Sequence, residues 1–102
     1  MAMATLFFWF NADKEKIFGK ELAEYFLGEM KDGSRSVGVK HERRQRFILA
    51  ELNRRIMAFK HLNKSNVYKK AQLGNAFKWR LLEAGVDSAY VDELTDWIAH
   101  HL

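Results

Sequence analysis

Ala84-Gly85-Val86-Asp87-Ser88-Ala89-Tyr90-Val91 is the stretch that organises this chain. Gly85 supplies the left-handed residue that ends a helix, and Asp87 offers a side-chain oxygen to the free N–H groups that begin the next. Val86 and Val91 stand on either side of that cap as a hydrophobic staple. One helix therefore ends near Ala84 and another starts near Ser88.

Upstream, residues from about Asn66 to Ala84 place Leu73, Phe77, Leu81 and Ala84 on one side and Tyr68, Ala71, Trp79 and Leu82 nearly opposite. Two apolar sides call for two neighbours, so this third helix is expected at the centre, with Gly74 letting another backbone approach. Downstream, the last helix buries Val91, Leu94, Trp97 or Ile98, and Leu102. Further back, a second helix of about Lys40–Leu62 carries the stripe Ile48, Leu49, Leu52, Ile56 and Phe59. Asn63-Lys64-Ser65 breaks it. A first helix, capped by Asn11 and running to about Met30, repeats Ile17, Phe18, Leu22, Tyr25, Phe26 and Met30 at helical spacing. Ser34–Val39 reads as an exposed loop.

The expected fold is mainly α, about four helices in a small bundle forming a single domain over residues 1–102. A short N-terminal apolar segment at about residues 5–10 accompanies it. That run, Leu6-Phe7-Phe8-Trp9-Phe10, is apolar on both faces if extended, and its partner is either Arg35–Lys40 or the same segment of a second copy. The other reading makes it the first turn of the first helix or a core plug. Either way five large apolar side chains need cover, and they form the expected interface of a homo-oligomer. The run is too short for a membrane span and lacks the basic flank of a signal peptide. With 48% apolar residues and no cysteine, the sequence reads as a folded cytoplasmic protein with no disulfide framework.

Charge is sharply partitioned. Between Ser34 and Arg80 there are thirteen Lys and Arg against Glu42 and Glu51, a balance of +11, while residues 1–33 carry −2 and residues 81–102 carry −5. Blocks of this kind point to a polyanionic partner or to acidic and basic surfaces meeting each other. On a helical wheel Arg43, Arg46, Arg54, Lys60 and His61 share an arc opposite the apolar stripe, suited to several phosphates along the helix, or simply to solvent. Arg44 and Arg55 lie at the edge of that stripe and need carboxylates. The fourth helix, with Asp92, Glu93 and Asp96, is the expected donor. Lys69, Lys70, Lys78 and Arg80 alternate with Tyr68, Phe77 and Trp79 as a stacking platform would, although the core also claims those aromatics.

Residues 84–91 also resemble the turn of helix-turn-helix repressors, in which a small residue and Gly-Val lead into a capped recognition helix. The resemblance covers eight residues and stops there. The helix that follows holds Asp92, Glu93 and Asp96 and no Lys or Arg, and would be repelled from a DNA groove.

Catalytic chemistry finds no constellation. The four histidines are His41, His61 and the adjacent His100-His101, whose rings diverge on a helix, and a frayed C-terminus is their expected home. Glu21 with Glu24, and Asp92 with Asp96, lack a histidine at a ligand offset, and Gly33-Ser34-Arg35-Ser36 lacks the phosphate-loop pattern. The expectation is a non-enzyme with no metal site and no cofactor. The leading reading is a small basic helical protein that binds DNA or RNA mainly through phosphates, with Arg43, Arg46, Arg54, Lys60, Lys69 and Lys70 as the contact set. The alternative is a homodimeric adaptor whose basic face meets an acidic protein partner.

Overall fold

A computed structural model of the chain describes the backbone of residues 11–33 and 39–102 and the side chains of residues 11–30 and 43–102. Four helices account for most of it: α1 (Asp13–Gly33), α2 (Val39–Leu62), α3 (Val67–Glu83) and α4 (Ser88–His101). No strand occurs among the described residues. The segment at 5–10, with its interface residues Leu6 to Phe10, and the loop at 34–38 lie outside them.

The boundaries follow from capping. Asn11 Oδ1 accepts from the Asp13 N–H at 3.2 Å, and Asn66 Oδ1 accepts from the Lys69 N–H at 2.8 Å. Gly85 ends α3 with φ at +87°; the Val86 N–H donates to the Leu81 carbonyl and the Gly85 N–H to that of Leu82, the paired bonds of a Schellman turn. Asp87 Oδ2 then accepts from the Tyr90 N–H at 3.2 Å to start α4.

Cross-helix contacts fix the topology. Glu24 meets Arg80, and Gly19 meets Leu73 and Ala76, so α1 and α3 run parallel. Phe18 stacks on Phe59 with ring centroids 4.3 Å apart while Glu29 meets Arg44, so α2 runs antiparallel to α1. Gln45 reaches Tyr90 and Lys60 reaches His101, so α2 and α4 are parallel, and Lys78 with Asp92 places α4 antiparallel to α3. The result is an up-down-up-down bundle in which α1 against α3 is the most extensive contact, followed by α3 against α4. One core is drawn from all four helices: Leu22, Ala23 and Phe26; Ile48, Leu52 and Ile56; Leu73, Phe77 and Leu81; Val91, Leu94 and Ile98.

Three packing expectations are corrected. Ile17, assigned to the stripe of α1, is 60% exposed, because Ala12, Gly19, Leu22, Ala23 and Phe26 define a buried face roughly opposite it. The close backbone approach falls at Gly19 rather than Gly74. A methyl built on Gly19 would lie 2.3 Å from the Leu73 carbonyl oxygen, whereas one on Gly74 would meet only Thr95 Cγ2, at 4.0 Å. On α3, Leu73, Phe77 and Leu81 are buried and the helix is central in its contacts, but Ala71, Trp79 and Ala84 of the expected apolar sides are exposed.

Candidate nucleic-acid interface

The stripe of α2 turns Ile48, Leu52 and Ile56 into the core, which leaves Arg43, Arg46 and Arg54 exposed on the outward side. Phe47 and Met57 share that side, 64% and 53% exposed. Arg54 grips Glu51 through two bonds, from Nε at 2.9 Å and Nη2 at 2.6 Å, and Arg55 Nε donates to the same carboxylate at 3.0 Å. These guanidinium hydrogen bonds hold the Glu51 carboxyl down at about 2.

Arg55 also lies over the Tyr25 ring, 4.1 Å from its centroid. Arg44 Nη2 donates to Glu29 at 3.1 Å. Both edge arginines therefore face α1 or their own helix rather than the acids of α4. The reason is geometric, since their edge of α2 is the one against α1. Burial is the main cause that raises the Tyr25 phenol, with Glu29 and Glu51 adding to it.

Lys60 is placed differently from Arg43, Arg46 and Arg54. Its Nζ donates to the His101 carbonyl at 3.2 Å on the flank toward α4, so the expected single arc divides in two. Near it the α2–α3 corner closes with Asn63, whose N–H and side-chain amide both donate to the Phe59 carbonyl. Lys60, Lys64 and Lys70 surround a groove here of about 230 Å³, floored by Phe59, Leu73 and Leu102 and lined by no Asp or Glu side chain. Lys64 belonged to the basic block but not to the expected contact set. Lys69, one residue from Lys70, lines a separate cleft with Asp13 and Glu15 at the start of α1. The structure does not bring Lys69 and Lys70 together.

On α3, Phe77 is fully buried and cannot stack on a ligand, whereas Trp79 is 60% exposed. Lys78 pairs with Asp92 at 3.3 Å, and Arg80 Nε pairs with Glu24 at 2.5 Å. Phe77 thus drops out of the interleaved platform, Tyr68 is half-buried, and the neighbours of Trp79 across the groove are Lys16 and Lys20 of α1. Those two lysines lie outside the basic block and the sequence reading passed over them. Gly19 and Ala23, small residues one turn apart, were the available sign that α1 packs closely enough on α3 to bring them there.

At the other end, His100 Nδ1–H donates to the Asp96 carbonyl and His101 Nδ1–H to that of Trp97, each at 2.8 Å. The His101 ring lies 4.0 Å from Trp97. The two imidazoles are ordered parts of the last turn rather than members of a frayed end. Among the described residues no group of three or more His, Asp or Glu side chains could hold a metal ion, and no helix is long and apolar enough to cross a membrane. Comparison with known protein families, with curated protein sequences and with solved structures returns no match in any of the three.

Proposed function

We propose that this protein binds nucleic acid mainly through phosphates, in a regulatory or architectural role without catalysis. The observation that carries the reading is the corner between α2 and α3, where Lys60, Lys64 and Lys70 stand around one groove with no carboxylate side chain among them. The first turn of α3 holds no acid, and Lys70 there stands against the positive end of the helix dipole at a cost of about 0.3–1 kcal/mol. An anion seated there would reverse that penalty, because Lys70 and the dipole both favour it. Arg43, Arg46 and Arg54, the last paired with Glu51, form a second basic face along α2.

The test is fluorescence anisotropy of labelled single- and double-stranded oligonucleotides across a salt series. Lys60→Glu with Lys70→Glu should weaken binding to unrelated sequences about equally, since phosphate contacts carry no sequence information. For duplex DNA it should also flatten the slope of log affinity against log salt by about 2. Absence of binding by the wild-type protein at low salt would overturn the reading.

A second reading, a homodimeric adaptor with an acidic partner surface, is favoured by one observation. Phe47 and Met57 stand exposed between the arginines of α2, an apolar and basic mixture that suits a protein surface. Glu93 and Asp96, exposed on α4, offer the complementary sign.

A further inference from the structure

The groove between α1 and α3 lies away from the α2–α3 corner and is built by a feature of the packing. Because Gly19 has no side chain, α1 sits directly on the Leu73 carbonyl and on Ala76. Lys16 and Lys20 flank that contact, three residues before Gly19 and one after it. They are one turn apart on a single stripe, about 6 Å between their Cβ atoms. Across from them α3 presents Gln72, Asn75 and Trp79, which follow one another at three- and four-residue spacing along one side of the helix. Together these residues line a groove of about 430 Å³.

We propose that this groove takes an unpaired nucleobase from a single strand, stacked on the indole of Trp79, with flanking phosphates on Lys16 and Lys20. The inference rests on the nucleic-acid reading above and adds strand type to it. Each part of the lining matches a part of that ligand. Trp79 is 60% exposed and lines the groove, so its indole is open to a stacking base. Gln72 and Asn75 carry amides, which both donate and accept toward the edges of a base. The two lysines supply point charges that track a backbone. At the other end Arg80 is held by Glu24 and Glu83 also lines the groove, so positive potential is confined to the Lys16–Lys20 end. That polarity sets the end of the groove at which the backbone lies. A duplex has no free base to offer Trp79, and an acidic peptide has charge but no flat π-face.

The experiment compares fluorescein-labelled twelve-residue oligo-dT, a twelve-base-pair duplex and an oligo-glutamate peptide by anisotropy, each with wild-type protein, Trp79→Ala, Trp79→Phe and Lys16→Gln/Lys20→Gln. Trp79→Ala should weaken oligo-dT binding about five- to one-hundred-fold, the range that loss of one stacked base implies. Trp79→Phe should recover most of that loss, and duplex binding should change less than about twofold. The lysine pair should flatten the oligo-dT salt slope by about 1.4. Thermal melting confirms that each variant folds, as expected for exposed side chains.

Oligo-dT binding by Trp79→Ala at wild-type strength would overturn the inference while leaving phosphate binding at the corner intact. Equal losses for oligo-dT and duplex would also overturn it. Binding of oligo-glutamate as tight as oligo-dT would show a general anion patch and overturn it. Failure of the wild type to bind either nucleic acid would remove this inference together with the reading on which it rests.

Discussion

Two glycines inside helices should respond to the same substitution with opposite signs. At Gly19 an added methyl would stand 2.3 Å from the Leu73 carbonyl oxygen and 3.1 Å from both the Leu73 carbonyl carbon and Ala76 Cβ. The obstacle is chiefly backbone, so relief requires α1 and α3 to separate rather than a side chain to turn. Overpacking costs about 1–3 kcal/mol, and an unyielding neighbour sets the upper end. The better helix propensity of Ala returns about 1 kcal/mol. Gly19→Ala should therefore lose about 2 kcal/mol, and the melting temperature should fall by roughly 8–16 °C for a domain of this size. Gly74→Ala meets only Thr95 Cγ2 at ordinary contact distance, 4.0 Å, and should gain up to about 1 kcal/mol. Urea unfolding followed by far-ultraviolet circular dichroism measures both. A Gly19→Ala variant as stable as wild type would refute the close approach, and with it the geometry that brings Lys16 and Lys20 to Trp79.

Two further outcomes follow from the ion pairs and from the exposed face of α2. Glu51 titrates at about 2 against an ordinary value of 4.5 because Arg54 and Arg55 bond its ionised form. A depressed folded-state value contributes stability that is complete above about 4.5 and is lost as the pH falls toward about 2. Glu51→Gln should thus be less stable than wild type at neutral pH and converge with it across that acid window; two parallel stability curves would refute the assignment. For the adaptor reading, sedimentation velocity at micromolar concentration should show a dimer that dissociates in Phe47→Glu/Met57→Glu. A wild-type monomer would exclude it.

The helices were legible because their ends are written locally. Asn11, Gly85 and Asp87 each act within three residues of where they stand, and each does what its side chain or backbone freedom predicts. The apolar stripe of α2 was legible for a similar reason, since helical period alone sets which side chains share a face. What failed were inferences about neighbours. Gly74 and Gly19 look alike in sequence, and only the crossing of α1 over α3 decides which of them touches a backbone. Ile17 is as apolar as Leu22, yet the small residues Ala12, Gly19 and Ala23 pull the opposite side of α1 inward.

Charge divides along the same line between local and non-local information. The excess in the middle of the chain was countable, but its availability depended on where the acids of α1 and α4 come to rest. Antiparallel packing of α2 on α1 brings Glu29 to Arg44, parallel packing of α3 on α1 brings Glu24 to Arg80, and α4 brings Asp92 to Lys78. Each of these acids lies outside the basic block, so part of the +11 balance is satisfied within the fold. The pairs occupy helix–helix seams. In the α1–α3 groove Arg80 stands with Glu24 at one end and Lys16 and Lys20 at the other, while Lys64 and Lys70 border the corner groove. A surface ion pair contributes little stability, about 0–1 kcal/mol. Lys70, set against the dipole of α3 beside a groove, is therefore better explained by a ligand than by the fold.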